Sequence, residues 1–162
     1  MLVNRRIYKD GLPAAGPVSI VDIDGVLSDA SGRQHFLFGE NKELWNFFEA
    51  AIDDPPILES VRLVKELTKN QIVILVTARP KRLTEITTNW MDQNGIHWDA
   101  LEMREDDNFT SSSDVKREVL HALQSLGYEP QLAIDDDPRN LVMYQTEGIP
   151  TVYIHSGYYE KI

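Results

Sequence analysis

Val18 to Ile23 and Gln71 to Val76 are short, nearly continuous apolar runs rich in β-branched residues, a pattern that predicts strands buried on both faces. Between them, Ile57, Val61, Val64 and Leu67 recur at the spacing of one helix face, just after Pro55-Pro56. The alternation then repeats. Leu83, Ile86 and Trp90 predict a helix closed by Asn94-Gly95, and Ala100 to Met103 a weaker strand. Val115, Val119, Ala122 and Leu126 predict a helix ending at Gly127, and Leu132 to Ile134 a strand. Leu141 and Tyr144 mark a last helix ended by Gly148, before a strand over Thr151 to Ile154. Five strands alternating with helices imply an α/β fold: three layers, doubly wound around a mainly parallel sheet with right-handed crossovers.

Two stretches break the alternation. Met1 to Pro17 mixes Arg5, Arg6 and Lys9 with Gly11, Pro13 and Gly16 without a period of two or 3.6, and reads as a leader or peripheral hairpin preceding one domain over 18–162. Ser28 to Asp54 carries His35, Phe36, Phe38, Trp45, Phe47 and Phe48 and is too short for a second domain. It is expected to form a small flap or minimal cap at the carboxyl edge of the sheet.

In open α/β sheets ligands bind where strands end, and the polar signatures fall there: Asp22 and Asp24, then Thr77 to Arg82, then Asp135 to Asp137. Alternate residues of an extended chain point the same way about 6.6 Å apart, so Asp22 and Asp24 can face one ligand while Gly25 turns the chain away. The plain alternative is a strand-ending Asp-Gly turn. Asp135 and Asp136 would bring up to four carboxylates together, and their mutual repulsion calls for a hard divalent cation; Mg²⁺, held by few protein oxygens, suits the set. Pro80 fits the first position of a helix, which would put Lys81 and Arg82 in its first turn. Cations there oppose the helix dipole unless an anion lies between them and Arg79, although Lys81 and Arg82 also read as solvated surface charges. Thr77 offers a hydroxyl, and backbone N–H groups around Thr77 and Ala78 can also meet phosphate. Ser112 or Ser113 reads as the next helix cap, leaving Lys116 in a first turn within reach of a phosphate or an aspartate; an exposed lysine is the ordinary alternative. Asp137-Pro138 reads as an N-cap and first helical residue, so Asp137 is assigned to structure rather than metal.

Charge and composition narrow the partners. With 26 acidic against 16 basic side chains among 162 residues, the formal charge of −10 disfavours broad, salt-sensitive binding to a phosphate backbone. Part of that acidity, Glu105-Asp106-Asp107, reads as a solvated loop. The absence of cysteine excludes thiol nucleophiles and zinc thiolates and suits a reducing cytoplasm, the expected location. No run approaches the roughly 18 apolar residues of a membrane span. His35, His97, His121 and His155 lack metal-ligand spacing.

Asp22-Ile23-Asp24-Gly25-Val26, Thr77, Lys116 and Asp135-Asp136 together resemble, in order, the four motifs of the haloacid dehalogenase (HAD) phosphohydrolase superfamily. Val76-Thr77-Ala78-Arg79, Asp114-Val115-Lys116-Arg117-Glu118, Leu132-Ala133-Ile134-Asp135-Asp136 and Ser156-Gly157-Tyr158 are similar to segments of the 3′-phosphatase domain of phage-type polynucleotide kinases, over about Val18 to Tyr159. The resemblance implies a phosphomonoesterase in which Asp22 attacks phosphorus and Asp24 protonates the leaving alcohol and later activates water. It also implies Mg²⁺ held by Asp22, the backbone carbonyl of Asp24, and Asp135, with Asp136 as a direct or water-mediated partner. Thr77, Ala78, Arg79 and Lys116 would bind the phosphoryl oxygens. The implied substrate is a phosphorylated nucleic-acid end or nucleotide 3′-phosphate; a small-metabolite phosphatase and a non-catalytic phosphate-binding protein are the alternatives. No Gly-x-x-x-x-Gly-Lys-Ser/Thr loop occurs, so any kinase activity is expected on another chain, with a separate kinase or ligase chain as the candidate partner.

Overall fold

The computed structural model describes residues 6–11 and 13–160. Its sheet has six strands: β1 (Arg6–Tyr8), β2 (Pro17–Val21), β3 (Ile72–Pro80), β4 (Ala100–Arg104), β5 (Glu129–Asp135) and β6 (Thr151–Tyr153), in the order β1-β4-β3-β2-β5-β6. The neighbouring pairs among β2 to β6 are parallel, as the alternation predicts, and β1 adds antiparallel to β4 with Ile7 opposite Leu101. The sequence expectation of a leader or hairpin is therefore corrected. Three residues too few to show a period gain their conformation from a neighbouring strand edge. Arg5 lies outside the described residues.

Period-two alternation sorts the strands onto two cores. Val21, Ile23, Val73, Leu75, Leu101 and Ile134 face one layer, where α2 (Leu58–Leu67) contributes Val64 and α3 (Thr84–Gln93) contributes Trp90 and Met91. Ile20, Ile74, Val76, Ala100 and Ala133 face the other, where α4 (Ser112–Ser125) contributes Leu120 and Leu123 and α5 (Pro138–Thr146) contributes Met143 and Tyr144. With both faces covered, the strands read as continuous apolar runs. The chain runs outward from β2 to β3 and β4, then returns to the other side of β2 for β5. That reversal puts a crevice between the carboxyl ends of β2 and β5.

The interruption at 28–54 is a compact flap: a 3-10 helix over Ala30–Leu37, the short α1 (Leu44–Glu49) and a second 3-10 turn over Ala50–Asp53. Ser28 bridges back to both Asp24 and Pro56, closing the flap at its root. Among the described residues no helix is long and apolar enough to cross a membrane.

Candidate active site

β2 ends by delivering Asp22 to the crevice, its backbone N–H bonded to Ile134 O at 2.9 Å. The chain then turns within three residues, with Val26, Leu27 and Ser28 N–H groups all reaching Ile23 O. Gly25 makes this possible at φ +80°, and a Cβ there would lie 2.0 Å from Asp136 Oδ2. The glycine thus serves both the turn and the close approach of two site segments.

Lys116 reaches the same point from α4. Its side chain is buried, with Nζ 2.5 Å from Asp135 Oδ2 and 3.1 Å from Asp22 Oδ2. The expected cap is corrected: Ser111, not Ser112 or Ser113, accepts from Asp114 N, which moves Lys116 beyond the first turn. The position is governed by two buried carboxylates rather than by the helix end. Burial alone would lower the Lys116 pKa, but Asp135 and Asp22 outweigh it and raise it well above the ordinary value.

Asp135 is held by two residues of its own segment. The backbone N–H of Asp137 donates to Oδ1 at 2.9 Å, and Asn140 Nδ2 lies 3.2 Å from each oxygen. Asn140 is in turn oriented by Ser113, whose Oγ donates to Asn140 Oδ1 at 2.9 Å. Asp137 caps α5 ahead of Pro138, the structural role its sequence context predicts.

Asp22, Asp135 and Asp136 can each offer an oxygen within 4.8 Å of the others, and all three are buried. Among the described residues neither carboxylate oxygen of Asp136 has a hydrogen-bond partner. An unpaired buried carboxylate beside two others is costly, so a hard cation fits this oxygen-only set. Burial, with Asp135 beside it, pushes Asp136 up to about 7; Ser156 offsets part of the rise without reaching good hydrogen-bond geometry. Asp22 is likewise raised well above its ordinary value, by burial first and then by Asp135, Asp136 and Asp24, against the opposing Lys116. The Asp24 carboxylate lies outside this trio.

Asp24 instead enters a second buried network. Arg79 donates to it from Nη2 at 2.6 Å and from Nε at 3.1 Å, and Arg33 from Nη2. Burial would raise this carboxyl, but Arg79 and Arg33 prevail and hold it at about 2. Arg33 also grips Asp54 through Nε at 3.0 Å and Nη2 at 2.7 Å, donates from Nη1 to Phe47 O at 3.1 Å, and stacks its guanidinium 4.3 Å from the Phe47 ring. Two arginines and two aspartates thus neutralise one another while locking the flap to the Asp22–Ser28 turn. Sequence reading missed Arg33 and Asp54. The available signal was that Arg33 is the only arginine of the flap, set among aromatic residues.

The main cavity, about 420 Å³, is lined by Asp22, Asp24, Thr77 and Ala78, by Phe47 and Phe48 of the flap, and by Tyr158. Thr77 and Ala78 therefore stand where the sequence put them. The Arg79 side chain does not: it is fully buried against Asp24, Thr87 and Ser28 and belongs to the network beneath the cavity. Pro80 is corrected by one residue: it ends β3, after a register shift against β4, and stands as the N-cap rather than the first residue of a 3-10 turn over Lys81–Leu83 that leads into α3 at Thr84, with Arg82 N bonded to Asp106 Oδ1 at 3.0 Å. Lys81 pairs with Glu105 at 2.8 Å and Arg82 with Asp106 at 3.7 Å, so these cations neutralise the acidic loop and do not frame an anion beside Asp22.

A family model described as the polynucleotide kinase PNKP phosphatase domain matches residues 17–159. The chain belongs to that phosphatase family. Its fold is shared with a chain of the Pnkp1/Rnl/Hen1 RNA repair complex, at 21% identity and a TM-score of 0.75, over 92% of this chain and 45% of that one. A haloacid dehalogenase-like hydrolase from Streptococcus pneumoniae aligns at 14% identity and a TM-score of 0.61, over 84% of this chain and 83% of that one. A HAD family enzyme from Bacteroides thetaiotaomicron, solved with magnesium and inorganic phosphate, aligns at 13% identity and a TM-score of 0.52, over 89% and 96% of the two chains. The chain spans about half the length of the RNA repair chains it matches. No curated protein sequence matches it. The fold class and HAD-type phosphatase reading drawn from the sequence are thereby borne out.

The site's electrostatics set a pH dependence of stability for the metal-free protein. Asp22 and Asp136 bind protons more tightly folded than unfolded, so stability falls as pH rises from about 4 through the Asp136 value of about 7. Asp24 has the opposite sign: its contribution is present above about 4 and is lost as pH falls toward about 2. The melting temperature in chelator is expected to drop on the order of 10 °C between pH 5 and pH 8, and millimolar Mg²⁺ to remove most of that drop. A flat melting curve in chelator would remove the unpaired-carboxylate account.

Proposed function

We propose that this phosphatase domain is a Mg²⁺-dependent phosphomonoesterase that forms an aspartyl-phosphate on Asp22 and acts on a nucleic-acid or nucleotide 3′-phosphate. The observation that carries the reading is that Asp22, paired with Lys116 and grouped with Asp135 and Asp136, lines a cavity that Thr77 and Ala78 also line. Asp22, Asp135 and Asp136, with the Asp24 carbonyl, would hold the ion, which when bound neutralises phosphoryl charge. Lys116 opposes the upward shift of Asp22 and aims its carboxylate, and Thr77 with the adjoining N–H groups receives the phosphoryl oxygens.

An Asp22 carboxylate oxygen bonds to phosphorus as the P–O bond to the alcohol breaks, and Asp24 gives the departing oxygen its proton. Water then attacks phosphorus, its proton passes to Asp24, and the Asp22–phosphorus bond breaks to release phosphate. Asp24 needs a proton for the first step. A phosphate dianion entering beside it acts against Arg33 and Arg79 and raises its pKa as substrate binds. Arg79 acts here as a positioning residue for Asp24 rather than as a phosphate ligand.

The small flap leaves the cavity open to a chain end, which supports a polymeric substrate. A ligase would join the hydroxyl end so produced and a kinase would phosphorylate the opposite, 5′ end, in keeping with the RNA repair complex that one structural relative belongs to. Phosphate release from an aryl phosphate, a sugar phosphate, a nucleoside 3′-phosphate and a 3′-phosphorylated oligonucleotide, with Mg²⁺ and with chelator, tests the reading. The highest kcat/KM is expected on the oligonucleotide, with activity lost in chelator; activity confined to sugar phosphates would overturn the nucleic-acid assignment.

A further inference from the structure

A second groove, about 320 Å³, continues from the catalytic cavity; Phe48 and Ala78 line both. It is lined by Leu44 and Phe48 of the flap, by Pro80 and Arg82, and by Phe109 and Thr110 of the β4–α4 connection. Phe109 is 89% exposed, so no packing need explains it, and burying such a ring would be worth about 1.5–3 kcal/mol.

The turn that presents Phe109 is nevertheless braced. Arg104 Nη1 donates to Asn108 O at 3.1 Å and to Thr110 O at 2.6 Å, on either side of the ring, while its Nε donates to Ala78 O at 3.1 Å. Asn108 Oδ1 accepts from both Thr110 N and Thr110 Oγ1. One arginine therefore ties an exposed aromatic to the very backbone segment that lines the phosphate pocket. Arg82, also a lining residue, has its guanidinium 4.5 Å from the Trp45 ring.

We infer that this groove holds the base of the nucleotide preceding the one that carries the 3′-phosphate, stacked on Phe109; the inference rests on the nucleic-acid reading of the proposed function. The catalytic cavity has the size of pockets that enclose a single drug-sized molecule such as one nucleotide, so the next base has to leave it, and the groove is its continuation. The net charge of −10 gives the chain no general hold on a phosphate backbone, and Arg104 is occupied by carbonyl groups, so affinity for a longer strand comes from stacking. Stacking accepts any base, and it requires the base to be unpaired.

Steady-state kinetics of wild-type protein and Phe109→Ala on an aryl phosphate, a nucleoside 3′-phosphate and a dinucleotide 3′-phosphate decide the matter. Phe109→Ala is expected to raise KM for the dinucleotide about 5- to 100-fold and leave the other two substrates unchanged, with Phe109→Trp restoring the wild-type value. Equal loss on all three substrates, equal loss on the two nucleotides, or no loss on the dinucleotide would each overturn the groove assignment. A wild-type protein that hydrolyses the aryl phosphate but neither nucleotide would overturn the nucleic-acid reading itself, and the groove with it. Unchanged dinucleotide kinetics in Phe109→Ala, with wild-type activity on both nucleotides, would overturn the groove alone.

Discussion

Asp22→Asn is expected to reduce phosphate release by more than about 10³-fold on every substrate while raising the melting temperature of the metal-free protein. The first effect follows because removing an attacking group eliminates the route rather than weakening it, leaving only binding and electrostatic contributions. The second follows from its surroundings. Asp22 is buried beside Asp135 and Asp136, and its raised pKa means that ionising it costs the fold free energy. An amide of the same shape removes that cost, and Lys116 keeps its 2.5 Å partner in Asp135. Activity and stability thus move in opposite directions, as they do where a site is strained for function. Phosphate release assayed alongside thermal melting in chelator checks both halves. Residual activity within tenfold of wild type would assign the attack to another group, and a lower melting temperature would show Asp22 to be a stabilising partner of Lys116.

Arg33→Ala is expected to be almost as damaging by a different route. Arg33 is 2% exposed and joins Asp24, Asp54 and the Phe47 carbonyl in one hub. Taking it away leaves the buried Asp54 and the half-buried Asp24 short of a partner, a loss of about 3–5 kcal/mol that lowers the melting temperature by roughly 6–20 °C. The flap also loses its tie to the Asp22–Ser28 turn, and Asp24 loses one of the two cations that hold its pKa at about 2, so the alkaline limb of kcat/KM, which Asp24 sets as the proton donor, moves upward. Arg33→Lys is not expected to rescue, because a point charge cannot bridge two carboxylates and a carbonyl at once. Full activity with an unmoved pH profile in a folded Arg33→Ala protein would reduce the network to packing.

These two residues differ in how visible they are along the chain. Asp22 ends an apolar run, precedes Asp-Gly, and has partners whose segments also end strands, so local pattern and topology point to it together. Arg33 sits in a segment of no period, and its importance depends on Asp54, distant in sequence, and on Asp24 across the flap root. Asn140 is equally silent, being one polar residue on a helix until its amide is found against Asp135. Arg79, Lys81 and Arg82 show the same limit. Clustered in sequence, they look like one anion site, yet the continuation of β3 through Pro80 sends Arg79 inward to Asp24 and the other two outward to Glu105 and Asp106.

By itself the sequence determined the layering and the edge at which the candidate site groups collect. Burial on both faces leaves a strand one readable composition, and parallel strands must end where their ligand groups collect. Only the tertiary structure decided the edge strand Arg6–Tyr8, the inward turn of Arg79, the Arg33–Asp54 hub and the groove under Phe109. Each depends on a partner distant along the chain, and a charge or an aromatic ring takes its role from what it meets in space rather than from its neighbours in sequence.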